Sequence, residues 1–208
     1  MIVAVAFDSR EGASRRWIEE ANPDYVTLID RFHHVAELYN MVNVNQAVWI
    51  DEGGKIVRPT ESAGAYEGFR QMNRSTSEMP AEVAKIAADA KTTYHNALRD
   101  WVQNGSESEH ALDPEQARAQ LIPPTADIAK AHAAFTLGRY LIGIGRSDEG
   151  NRFQKEATRL HPDSWNFWRQ GASLTENGLA AQADFWERVD ALGNKKYYAA
   201  VNMKGMPQ

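Results

Sequence analysis

His33 and His34, standing between Asp30 and Glu37, are the first residues to weigh for chemistry. His33 and Glu37 are four apart, which on a helix would put two potential metal donors on one face. A structural zinc site takes about four ligands, and the chain contains no cysteine to supply a thiolate. The pair directly precedes the short helix read over Val35–Tyr39, a place where exposed polar residues are ordinary, and no metal is assigned. His95, His110, His132 and His161 fall in separate segments without ligand spacing; His95 and His132 read as surface or partly buried helix residues. Asp51 and Glu52 are candidates for an acid/base pair, but they sit in a turn sequence where Asp and Gly serve the backbone. Lack of cysteine excludes disulfides, thiolate metal sites and thiol nucleophiles within this chain. Gly143-x-Gly145 follows no strand and carries no nucleotide fingerprint, and no G-x-S-x-G nucleophile motif occurs. No catalytic residue and no cofactor is assigned.

A dense aromatic group remains: Trp165, Phe167, Trp168, Phe185, Trp186, Tyr197 and Tyr198. Helical spacing makes packing between helices the first reading, with Trp168 and the earlier Trp101 expected to be buried. The functional alternative is a groove for a protein or peptide partner, with Trp165, Trp168, Trp186 and Tyr197 as its anchors. Charge argues against nucleic acid as that partner. The chain has 28 acidic against 23 basic side chains, a formal charge of −5, whereas nucleic-acid binding depends on neutralising phosphates. Arg15-Arg16 and Lys195-Lys196 are isolated basic pairs and read as solvated surface.

The elements that would position these residues begin with an apolar run, Ile2 to Phe7, read as a buried strand ending at Asp8-Ser9. From Glu11 to Glu20 the pattern is helical, with Ala13, Trp17 and Ile18 on one side, until Asn22-Pro23-Asp24 stops it. An extended Tyr25–Ile29 and a short helix over Val35–Tyr39 follow. Val44 to Val57 is a β-hairpin signal, two apolar runs around Asp51-Glu52-Gly53-Gly54. Pro59 to Pro80 is rich in Gly, Ser, Thr and Glu and is taken as a boundary. Val83, Ile86, Ala87, Ala90, Tyr94, Ala97, Leu98 and Trp101 then mark one apolar stripe of a helix over Ala81–Val102. Beyond a polar linker at Gln103–His110, a helical pattern resumes at Thr125. Ala134, Leu137, Gly138, Leu141, Gly150, Ala157 and Pro162 fall where a tetratricopeptide unit places its packing residues. Gly138, Gly150 and Ala157 would let two antiparallel helices approach closely, Pro162 would end the second, and Ser164 could cap the next. A plain helical hairpin bundle fits the same residues.

Residues 2 to 60 carry an ordered set of short motifs: Val3-Ala4-Val5-Ala6-Phe7-Asp8, Arg16-Trp17-Ile18, Thr27-Leu28-Ile29-Asp30, Ala36-Glu37-Leu38-Tyr39-Asn40-Met41, Asn43-Val44-Asn45-Gln46-Ala47 and Val48-Trp49-Ile50-Asp51. In this order they resemble the second half of a thioredoxin-like redoxin domain, the family of thiol–disulfide oxidoreductases and peroxiredoxins. The resemblance implies an α/β, partial thioredoxin-like fold over residues 1–75, followed by an all-α helical hairpin, tetratricopeptide-like domain over 76–208.

Against that family, Asn45 stands where a cis-proline shapes the substrate side of the active site. A non-proline cis bond costs about 2.5–4 kcal/mol, so a trans bond is expected at Asn45. The family's first strand and its Cys-bearing helix have no counterpart after Met1, and that strand would sit between Ile2–Phe7 and Ala47–Ile50. Two readings follow. In one, the chain is a redox-inactive thioredoxin-like and helical-repeat protein that works by binding or scaffolding. In the other, it is a truncated thiol–disulfide oxidoreductase or peroxiredoxin-like enzyme whose Cys-bearing segment lies upstream. An unaccompanied strand edge recruits other strands, so homo-oligomerisation through Ile2–Phe7 is expected. Met1–Phe7 is too short for a signal core, and no run approaches the roughly 18 apolar residues of a membrane span. The expected location is cytoplasmic as written, and extracytoplasmic if an upstream segment is missing.

Overall fold

A computed structural model describes residues 1–8, 10 and 12–207. Ser9 and Glu11, where the first strand is expected to end and the first helix to begin, lie outside the described residues, as does Gln208. In chain order the elements are β1 (Val3–Ala6), α1 (Arg15–Ala21), β2 (Val26–Ile29), α2 (His34–Leu38), β3 (Gln46–Ile50), β4 (Ile56–Ser62), α3 (Ala81–Asn104), α4 (Pro114–Ala119), α5 (Ala126–Gly143), α6 (Ser147–Leu160), α7 (Trp165–Arg169) and α8 (Ala183–Asp190). Helices and strands are thus mixed, with the described strands confined to two separate two-stranded sheets. None of the described helices is long and apolar enough to cross a membrane. The chain forms two compact units that interleave in sequence: Met1–Asn43 with Ile122–Trp186, and Val44–Leu121 with Glu187–Gln208. Residues on either side of position 75 belong to the same unit.

In the first unit β1 and β2 pair in parallel, from Val3 opposite Val26 to Ala6 opposite Ile29. Parallel strands need a crossover, and α1 provides it, ending where Asn22 takes a left-handed φ of 40° just before Pro23. The helical part is built as the glycine pattern predicts. α5 starts at Thr125, whose hydroxyl accepts the Ile128 N–H at 3.2 Å. It packs against α6 at the Gly138–Gly150 crossing, beside a core of Ala131, Phe135, Ala157 and Phe167. A Cβ on Gly138 would lie 2.8 Å from the Gly150 carbonyl oxygen, and one on Gly150 would lie 2.7 Å from the Gly138 oxygen. Ser164 then caps α7, accepting the Phe167 N–H at 3.2 Å.

Gly138→Ala should therefore lower stability although alanine is the better helix former. The helix gains about 1 kcal/mol from the exchange, but the new methyl meets a backbone carbonyl that cannot rotate away, and overpacking costs about 1–3 kcal/mol. It also crowds Gln154 Nε2, which donates to the Phe135 carbonyl at 2.9 Å. A net loss of up to about 2 kcal/mol is expected, read from a thermal melt.

In the second unit the hairpin forms as β3 and β4, antiparallel, with an irregular register between Ala47 and Ile50. Asp51 closes its turn by accepting the Gly53 and Lys55 N–H groups at 2.9 and 2.8 Å. The expected stripe buries Val83, Ala90, Tyr94 and Ala97 of α3, while Ile86 stays exposed and Trp101 is half-buried. Val201, Met203 and Met206 of the C-terminal segment complete that core with Trp49. One expectation is corrected here: the Val44–Asn45 peptide is cis.

Candidate protein-interaction surface

The strand pair of the first unit is apolar and largely uncovered. Ile2, Val3, Val26, Leu28 and Ile29 are each exposed over 41–58% of their surface. β1 and β2 pair only with each other among the described residues, so each has a second edge carrying main-chain donors and acceptors. Soluble proteins usually blunt such edges with charge, proline or a covering element. Residues 1–7 and 25–29 contain no charged side chain and no proline. Exposed apolar residues scattered singly are ordinary, but a contiguous run of them marks a contact surface.

α1 adds to this exposed surface. None of its residues is buried, and Trp17 is 44% exposed. The Arg16 guanidinium lies 4.4 Å above the Trp17 ring and donates to the Asn177 carbonyl at 3.1 Å.

Of the four expected anchors, Trp165, Trp168 and Trp186 lie in the first unit, together with Phe185. Trp165 is buried, edge-on to Trp168 at 5.6 Å and to Phe185 at 5.9 Å, and Phe185 meets Trp186 at 5.1 Å. Trp168 and Trp186 are half-buried, so the burial expected of Trp168 is only partly reached. Tyr197 belongs to the second unit, buried edge-on to Phe69 at 4.8 Å and Tyr198 at 4.7 Å, its N–H donating to Glu67 at 2.8 Å. Asn45, at the cis bond, is exposed on the second unit, and its carbonyl accepts the Ala63 N–H at 3.1 Å.

The histidine pair separates. His34 is exposed beside Phe32. His33 is buried, 5.5 Å from the Phe7 ring and 4.7 Å from that of Phe135, in the left-handed residue that precedes α2. Its pKa is pushed down to about 4, chiefly by burial, with Asp30 opposing and Arg139 and His132 assisting. Asp30 accepts the Val35 N–H at 2.7 Å and so serves α2. Among the described residues no group of three or more His, Asp or Glu side chains is arranged to hold a metal ion.

Sequence reasoning missed the most connected polar group of the second unit. Arg58, 1% exposed, pairs with Glu61 through Nε and Nη2, both at 2.9 Å. Its remaining donors reach the His110 and Asn202 carbonyls, also at 2.9 Å. Tyr94 donates to Glu61 at 3.0 Å and accepts from Trp49 Nε1 at 2.8 Å. Burial first, and the Glu61 charge second, push the Tyr94 phenol above its ordinary pKa. The only local signal is Arg58 and Glu61 interrupting an otherwise strand-like run, and their partners lie far along the chain. With every strong donor matched, the group reads as a tie between elements rather than as a reaction centre.

Comparison with protein-family models, with curated proteins and with solved structures finds no match for this chain.

Proposed function

We propose that the chain is a non-catalytic binding module that joins another polypeptide through the open β1–β2 sheet. The redoxin-like motifs up to Met41 lie in the same unit as this sheet, those from Val44 onward in the other, and a chain without cysteine cannot perform that family's thiol chemistry. The observation that carries the reading is the exposed, uncharged strand pair with two unblunted edges. Strand addition to such an edge satisfies main-chain groups and covers apolar side chains at once. The helical part then serves as the rigid support of that surface.

Val3→Lys tests this. Val3 is already 45% exposed, so lysine there leaves the fold intact while placing a charge at the strand edge. Association should weaken by tenfold or more, about 1.4 kcal/mol, and the amides of Ile2–Phe7, protected in the associated wild type, should exchange faster in the variant. Unchanged association, with no protection of those amides in the wild type, would overturn strand addition.

A further inference from the structure

We infer that α1 is a self-complementary dimerisation helix, whose partner is α1 of a second copy of this chain packed antiparallel. The inference rests on the binding-module reading and names the partner for the exposed surface of the first unit.

α1 reads Arg15-Arg16-Trp17-Ile18-Glu19-Glu20-Ala21. Trp17, Ile18 and Ala21 share one face at helical spacing. Arg15 and Glu19 flank it on one side, Arg16 and Glu20 on the other. All four charged side chains are exposed, and among the described residues none of them is in an ion pair.

Two physical facts single this helix out. Its charges oppose its own dipole: no acidic residue lies in the first turn and no basic residue in the last, the reverse of what stabilises a helix alone. The Arg-before-Glu order is also the weaker orientation for pairing within one helix. Yet the charge pattern inverts about the Trp17–Ile18 bond. A second α1 laid antiparallel sets Arg15 against Glu19 and Arg16 against Glu20 on both flanks, with Trp17 of each copy against Ile18 of the other. The two dipoles then run head to tail. Flanking charges beside an apolar seam select partner and direction in just this way in paired helices. A basic helix would point to an anionic partner and an acidic one to a basic partner; a helix split into equal halves is matched by its own reverse.

Charge swapping decides it. The doubles Arg15→Glu/Arg16→Glu and Glu19→Arg/Glu20→Arg make α1 uniformly acidic or uniformly basic. Each substitution removes an unfavourable dipole contact and creates a like-charge pair four residues apart, two effects of similar size. Arg16→Glu also gives up the Asn177 contact, so recovery in the mixture of the two doubles is the decisive arm. By sedimentation velocity across a concentration series, the wild type should dimerise, with affinity falling as salt rises. Each double alone should associate at least tenfold more weakly. Their equimolar mixture should regain association close to wild type.

A wild type that stays monomeric throughout, doubles that associate as the wild type does, or a mixture that fails to recover would each overturn the inference. Success of the mixture with Val3→Lys inert would instead sink strand addition and leave the α1 pairing standing. Failure of the mixture with Val3→Lys effective would do the reverse.

Discussion

Arg58→Ala is expected to lower the stability of the second unit by about 3–5 kcal/mol, the range for removing one partner of a buried ion pair. The loss does not come from the pair's attraction alone. Glu61, 8% exposed, would keep its charge in a low-dielectric site with the Tyr94 hydroxyl as its remaining donor among the described residues, and the His110 and Asn202 carbonyls would lose the Arg58 donors. Denaturant unfolding measures the loss. Hydrogen exchange adds a local readout, because Arg58 holds the segment that carries Val201, Met203 and Met206 into the core. Its amides should exchange faster in the variant before global unfolding. Arg58→Met combined with Glu61→Leu should be less harmful than the sum of the singles, since no unpaired charge remains. A single variant within about 1 kcal/mol of the wild type would show that water reaches the site and screens it.

The features legible in the sequence are those decided by neighbours in the chain. The hairpin was readable because Asp51, Gly53 and Gly54 satisfy their own turn. The approach of α5 to α6 was readable because only glycine at 138 and 150 lets two helix backbones meet. Thr125 and Ser164 cap their helices within three residues. What was hidden depends on distant partners. Arg58 draws on residues 61, 110 and 202, and no local periodicity marks a chain that leaves one compact unit at Asn43 and returns to it at Ile122. His33 looked like a solvated turn residue, and its burial follows from Phe135, a hundred positions away. Arg15 and Arg16 are exposed, as isolated basic pairs are expected to be, and the charge reversal they form with Glu19 and Glu20 shows only once all four are placed on one short helix. For the interaction surface, the apolar strand sequence was plain, whereas its lack of cover is a property of the folded unit.

Acidification should destabilise the first unit well above the carboxylate range. His33, His132 and His161 are all buried around Phe135 and Phe167, and burial lowers the pKa of each. Glu37 opposes the shift at His132; at His161 the neighbouring His132 adds to it and Asp163 opposes. For His33 the folded value is about 4 against 6.5 in the unfolded chain. Between those limits the unfolded state binds the extra proton, so stability is complete above about pH 6.5 and falls as pH drops, reaching its full loss near 4. The full difference amounts to about 3 kcal/mol for His33 alone, of which about 2 is lost by pH 5, before most carboxylates titrate. Thermal melts of the first unit between about pH 7 and 5 should show this decline. His33→Asn isolates the cause, because asparagine tolerates the left-handed φ of 59° that His33 adopts and does not titrate. The variant should start less stable at neutral pH, having lost the Phe135 contact, yet show a shallower pH dependence. A variant as acid-sensitive as the wild type would place the titrating groups elsewhere, and a wild type whose melting temperature is flat across this window would mean that His33 is reached by water.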